Sequence, residues 1–529
     1  MKIYKSLSVF LSMLLILSSC QNFEELEKDP NRPRAVPASL VFTGILNDMY
    51  TEFNSTPWGT THRWNQYHAV NYNYYGNNEY AWTATSLNFF TLKNTVKMEE
   101  EAAKSFGTGQ VNPYSSLGKF FRAYFYYGMS MRVGDLPLSE ALLGLENTAP
   151  KYDTQKEVFM NILKWLDQSN DELSQLIADD NNFLAGDIYF SNDLKQWQKL
   201  VNTFKLRVLV QLSKKENDTD LNIKARFAQV LSNPAKYPLM AAISDNLQYT
   251  FNEAANKYPV NRDNFGFEAT RYNMAATYIG LLTSLQDPRV FYVAEPATRL
   301  VDQGISPTSY NAFVGAPSGE DLSNMSTKTL NGEYSLYGRY RYYRTYTAEP
   351  AIIIGYPEMC FNIAEGISRG WASGNAEDFY KKGIQASQGF YGITEGANTV
   401  KFLKRAAPDV TKEASYDTYT VNFNFDTYYN QNTVKYAGNN ATGLNQILAQ
   451  KYLAFFQNSG FEAYYNYRRT GVPTFSTGVG TGNSGRIPKR FQYPAIERSV
   501  NTVHYNEALN RQFNSTTDDI NAEMWIIKN

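Results

Sequence analysis

The chain has 529 residues, with 50 basic and 51 acidic side chains and a net charge of −1. That balance excludes the basic excess of a nucleic-acid binder. Its 43% hydrophobic content is that of a globular protein, and two cysteines, Cys20 and Cys360, leave little room for a disulfide framework.

The N-terminus reads as an address. Lys2 and Lys5 precede an apolar run, Leu7 to Leu17. The run is too short for a bilayer span, which needs roughly 20 residues, and suits the core of a secretory signal. It ends Leu17-Ser18-Ser19-Cys20, which resembles the bacterial lipobox, in which the cysteine is acylated and becomes the first mature residue. A plain signal peptide that happens to contain Cys20 is the alternative. Acylation at Cys20 would anchor the chain, since each buried methylene contributes about 0.8 kcal/mol, and would leave Cys360 without a partner. The expected division is a signal peptide over 1–19, a lipidated, charged and proline-rich tether over 20–38, and a single domain over 39–529.

The first helix is expected from about Ser39 to Tyr50. The stretch Trp58 to Trp82 follows, WGTTHRWNQYHAVNYNYYGNNEYAW. Eight of its residues are aromatic and it holds three of the seven tryptophans, yet it has no Leu, Ile or Phe. Rings interleaved with amides suit a ligand that is flat on its faces and hydroxylated at its edges, as sugars are. The candidate ligand-binding residues are Trp58, Trp64, Asn71, Tyr72, Asn73, Tyr74, Tyr75 and Trp82. The competing reading is a wet, tyrosine-rich loop packed on the domain.

The body is expected to be mainly α. Helical spacing links Phe120, Phe121, Tyr124 and Phe125. It recurs from Phe159 to Ile177, in Trp197, Val201, Phe204 and Val208, and from Leu444 to Phe455. Trp165 and Trp197 are assigned to the core. Alternation at Leu247-Tyr249-Phe251 and Tyr419-Val421-Phe423-Phe425 predicts short β-hairpins. Long polar segments at 302–335, 394–443 and 471–487 are expected to be large loops on the helical scaffold.

Several chemistries find no support. His62, His68 and His504 lack the spacing of a zinc site. Gly480, Gly482 and Gly485 match GxGxxG but have neither a strand before them nor a helix after them. Glu358, Glu365, Glu377 and Asp378 lie close in sequence on an apparent helix pair, where solvated-face roles are expected rather than glycoside hydrolysis. No cofactor, metal or catalytic residue is assigned.

A set of motifs carries a resemblance across the chain. Lys28-Asp29-Pro30-Asn31-Arg32-Pro33 follows Cys20. Val133-Gly134-Asp135-Leu136-Pro137-Leu138-Ser139-Glu140-Ala141 looks like a GDxPxxEA turn. Trp197 through Arg207, Met359 through Gly370, Gln450-Lys451-Tyr452, Glu462 through Pro473, Arg486 through Pro494 and the ending with Trp525 complete the set. In this order they resemble the SusD/RagB family of outer-membrane lipoproteins, in its SusD-like branch. Gly366 stands where that family usually has alanine. The resemblance implies a mainly α fold with tetratricopeptide-type helix-turn-helix units supporting irregular loops. It implies a surface-exposed, lipid-anchored position on the outer membrane of a Bacteroidetes-type bacterium. It further implies a non-enzymatic role in polysaccharide utilisation, as an oligosaccharide-capturing lid on a SusC-like TonB-dependent transporter. A peptide-binding lid of a RagB-like importer is the alternative, and a surface glycosidase a weaker one. Within this resemblance Asp135, Pro137, Glu140, Arg468 and Arg469 are expected to be caps, turns and buried ion pairs. The family's ligand contacts lie in variable loops, and the segment after the first helix is one it uses. Tyr340, Arg341 and Tyr342 form a second candidate for ligand or partner contact, with a strand or a transporter-facing surface as the competing readings.

Overall fold

The structure is a computed structural model, and it describes residues 36–51, 56–405 and 409–528. Cys20, the signal segment and most of the tether lie outside the described residues.

Helices dominate. Among the longer ones, in chain order, are α1 (Ala38–Thr51), α2 (Phe89–Phe106), α3 (Pro113–Val133), α4 (Gln155–Ala178), α5 (Leu194–Gln211) and α6 (Ile223–Ser232). Toward the C-terminus come α7 (Tyr356–Ser368), α8 (Ala376–Phe390), α9 (Ala441–Ala454), α10 (Glu462–Thr470) and α11 (Thr502–Phe513). Local sequence sets their limits. Asn112 accepts the Ser115 amide at 3.0 Å while Pro113 occupies the first turn of α3, and Gly134 at φ 99° closes it. Thr154 and Glu157 form the reciprocal cap of α4. Successive helices pack pairwise, α1 on α2, α2 on α3, α3 on α4, α4 on α5 and α7 on α8. This is the mainly α, helix-turn-helix scaffold the sequence implies. The stripe from Phe159 to Leu173 is buried, and Trp197 is fully enclosed by Phe42, Phe120, Phe121 and Phe190. Trp165 departs from expectation: it is only half-buried, at the edge of α4 beside Tyr126.

Strands are β1 (His68–Val70), β2 (Leu247–Tyr249), β3 (Tyr272–Met274), β4 (Ala351–Ile354), β5 (Gly396–Leu403) and β6 (Tyr416–Phe423). They form three antiparallel pairs, β1–β3, β2–β4 and β5–β6. The Leu247–Tyr249 strand is therefore not part of a hairpin, because its partner lies about a hundred residues on. The segment expected as a loop at 394–443 holds the longest strand pair, β5–β6, whose side-chain alternation leaves Val400 and Phe402 buried.

Two of the four acidic residues of the α7–α8 helix pair also depart from expectation, while Glu377 and Asp378 keep solvent contact. Glu358 and Glu365 are buried ion-pair members, not solvated. Glu358 receives two bonds from Arg207, at 2.5 and 2.6 Å. Glu365 receives Arg469 at 2.5 and 3.0 Å and Arg369 at 2.9 Å, with Lys451 at 3.9 Å. Burial alone would raise the Glu365 carboxyl, but these cations outweigh it and hold it well below the usual range. Asp135, as expected, caps and pairs: it accepts the Gln155 amide at 2.8 Å and the Arg511 guanidinium at 2.7 Å. The expected roles hold for Arg469 in its ion pair and for Arg468, which donates to the Met131 and Lys489 carbonyls at 2.8 and 3.0 Å.

Candidate functional site

The stretch from Trp58 to Trp82 divides into a buried frame and an exposed turn. A short helix, Thr60–Trp64, leads into β1, and β1 pairs with β3 so that Val70 opposes Tyr272. The chain then leaves the sheet through a single turn of 3-10 helix, Asn73–Tyr75. Gly76 ends that turn at φ 101°, with Arg63 directly beneath. Asn78 fastens both ends of the excursion by exchanging bonds with the Val70 amide and carbonyl, each at 2.9 Å.

Trp58 and Trp82 belong to the frame. Trp58 is 7% exposed. Its indole stacks on Tyr337 at 4.2 Å, and its Nε1 donates to the Tyr258 hydroxyl at 3.0 Å. Its backbone sits at φ 63°, and its amide donates to Gln457 Oε1 at 2.5 Å. Trp82 is stacked on Phe491 at 3.9 Å with the rings within 5° of parallel. These indoles pair with rings from distant parts of the chain, a partner the local sequence does not show. Trp64 is half-buried, 5.2 Å from Trp82, and donates to the Glu79 carbonyl at 3.0 Å. Asn71 is buried too; its amide donates to the Thr270 carbonyl at 3.0 Å and to Asn273 Oδ1 at 3.2 Å. Trp58, Trp82 and Asn71 thus support the site from within and offer no open face to a ligand.

The exposed turn is different. Tyr72 is 45% and Tyr74 82% exposed, Asn73 is exposed between them, and Tyr75 is half-buried. Tyr75 anchors the group: its hydroxyl donates to the Phe267 carbonyl at 2.7 Å, and its ring lies 5.2 Å from Tyr74 and 5.8 Å from Tyr272. The Arg271 guanidinium lies 4.7 Å over the Tyr72 ring. The turn therefore presents ring faces that are pre-positioned rather than floppy, with an amide between them.

Five residues joining this surface carried no signal in the sequence: Arg63, Phe267, Glu268, Arg271 and Tyr272. Four come from nearly 200 positions away and are brought beside the turn by the three-residue β1–β3 pairing, too short to show alternation. The Arg63 Nε is buried without a partner, while its other nitrogens reach Thr60 Oγ1 at 3.1 Å and the Tyr75 carbonyl at 3.5 Å. Burial lowers its pKa. Phe267 is 74% exposed. Glu268 is half-buried, and burial pushes its carboxyl up to about 7. Together these groups can stack against an apolar ring face and donate or accept hydrogen bonds at its edge.

The second candidate also divides. Tyr342 is fully buried, edge-on to Trp58 at 4.9 Å. Tyr340 and Arg341, on the same short helix Arg339–Tyr342, line a cleft of about 450 Å³.

The model of the SusD-like family described as starch-binding and associating with the outer membrane matches residues 30–494. A SusD homolog from Bacteroides fragilis is 30% identical and superposes with a TM-score of 0.77, over 93% of this chain and all of that one. Another SusD homolog from the same organism is 28% identical with a TM-score of 0.74 over the same shares. A chitin-binding SusD homolog from Flavobacterium johnsoniae shares the fold, with a TM-score of 0.67 over 93% of this chain and 99% of that one, at 19% identity. No match is found among curated protein sequences. The chain belongs to the SusD-like family of starch-binding proteins that associate with the outer membrane.

Proposed function

We propose that this protein is a lipid-anchored, cell-surface glycan-binding protein that captures an oligosaccharide and caps a SusC-like TonB-dependent transporter for nutrient import. The observation that carries it is the exposed turn Tyr72–Tyr75. It is a rigidly mounted pair of tyrosines flanking an amide, beside Phe267, Arg271 and Glu268. Pyranose C–H faces stack on such rings, and the hydroxyls around their edges find amide, guanidinium and carboxylate partners. Rings half-covered by protein lose little hydration when a sugar replaces the remaining water. Binding without turnover is the role proposed.

Family membership supports the outer-membrane association and the transporter partnership. Cys20 is proposed as the acylated residue, since the leucine and two serines before it have the lipobox form. Among the described residues no helix is long and apolar enough to cross a membrane. A lid on a barrel needs an interface well above about 1,000 Å², so extraction in mild detergent is expected to recover a barrel of transporter size with the protein. A glycan screen of the purified chain is expected to return oligosaccharide ligands left chemically intact. Recovery of the chain alone, together with a blank glycan screen, refutes the proposal.

A further inference from the structure

The cleft beside the Arg339–Tyr342 helix differs in chemistry from the tyrosine turn. It is walled by Tyr292, Tyr340, Arg341, Arg344, Tyr391 and Lys401, the last on β5. Its volume of about 450 Å³ falls within the roughly 300–1,000 Å³ typical of small-molecule sites.

Three cations converge there. Arg341 is held rigidly, its Nε donating to Glu349 at 2.5 Å and its guanidinium 4.6 Å over the Tyr391 ring. Arg344 lies 4.8 Å over the Tyr340 ring, and the Lys401 ammonium 4.9 Å over the same ring. Two carboxylates oppose them. Glu349 is buried behind Arg341, so its charge is spent inside the fold. Glu413 pairs with Lys401 and stands 3.8 Å from Arg344, but its side chain is 54% exposed at the rim. One positive charge remains in excess.

The rings argue in the same direction. At Tyr340 and Tyr391 cations already lie over the rings, so these walls present charge. Tyr292 lies differently: it is half-buried, its hydroxyl 3.4 Å from Asn398 Oδ1. A cation fixed over a ring is pre-organised for an anion, and a rim carboxylate is displaced more cheaply than a buried one.

We infer that this cleft binds a hexuronate unit of an acidic oligosaccharide, its carboxylate taken by Arg344 and Lys401 in place of Glu413 and its ring set against Tyr292. The inference rests on the reading of the protein as a glycan binder and specifies what that glycan carries.

The test is calorimetric titration of the full mature chain with tetragalacturonate, its fully methyl-esterified form, a neutral tetrasaccharide panel and tetraglutamate. The acid is expected to bind at least about tenfold tighter than the ester, as one hydrogen bond to a charged group implies, and to weaken with added salt. Arg344→Gln combined with Lys401→Gln is expected to abolish the preference and Lys401→Arg to keep it. Equal affinity for acid and ester, a preference that survives in the folded double variant, or tighter binding of tetraglutamate overturns the inference. Should the double variant fail to fold, the acid–ester ratio and its salt dependence in the unaltered protein decide. Binding of neutral glycans without acid preference sinks this inference alone, whereas no binding of any glycan sinks the general reading with it.

Discussion

Replacing Trp58 by alanine separates a frame residue from a ligand contact. The indole is 7% exposed and packs on Tyr337, Tyr342, Phe456 and His68. Truncating a buried Trp or Phe costs about 3–5 kcal/mol through lost transfer energy and the cavity left behind. The Tyr258 hydroxyl, itself fully buried, also loses the indole donor at 3.0 Å, worth about 1 kcal/mol more. Trp58→Ala is therefore predicted to lose about 4–6 kcal/mol of stability. Tyr74→Ala, at 82% exposure, is predicted to stay within about 0.5 kcal/mol. The assay is denaturant unfolding followed by tryptophan fluorescence and circular dichroism, with glycan affinity measured separately on the folded fraction. If Trp58→Ala unfolds at the unaltered midpoint yet binds glycan poorly, the indole is a ligand contact and its placement in the frame is refuted.

Three further outcomes follow from particular groups. Burial raises the Glu268 carboxyl from 4.5 to about 7, so its favourable contribution is complete below the unfolded pKa and is lost as pH rises through 7. Glu268→Gln is expected to match the unaltered protein's melting temperature at pH 4.5 and to exceed it at pH 8; equal values at both remove the carboxyl from the half-buried position described. Glu365 is shifted the opposite way, held low by Arg469, Arg369 and Lys451, so its contribution is present above the unfolded value near 4.5 and is lost as pH falls toward the folded one. Glu365→Gln is expected to cost about 3–5 kcal/mol at pH 7 by leaving buried cations unneutralised and to flatten the acid limb of stability; an unchanged acid limb in urea titrations contradicts it. Cys20→Ala is expected to shift the protein from the membrane to the soluble fraction, and retention in transporter-free cells counts against acylation.

The scaffold was legible in the sequence because helical spacing is local. The stripes around Phe120, Leu163 and Phe204 lie on the helices they predict, and the GDLP turn and the RRT segment sit where their motifs imply. What sequence could not show was which rings would find partners. Trp58 and Tyr72 look alike in a list of aromatics. One stacks on Tyr337, 279 positions away, and is buried; the other stays at the surface under Arg271. Amides behaved alike: Asn71 and Asn78 serve the backbone, and Asn73 stands exposed. Glu358 and Glu365 lie on a helix whose burial depends on Arg207 and Arg469 from other elements. Strand partners failed for the same reason, since β2 meets β4 about a hundred residues on, across several helices and β3.

The central claim is that a glycan lies on the Tyr72–Tyr75 turn. Its most direct measurement is the affinity of Tyr72→Ala, Tyr74→Ala and their combination for the oligosaccharide returned by the screen, with unfolding midpoints recorded in parallel. The combined variant is expected to lose about 2 kcal/mol of binding, roughly thirtyfold in affinity, at an unchanged midpoint. Affinity equal to that of the unaltered protein, in a fully folded combined variant, contradicts the account.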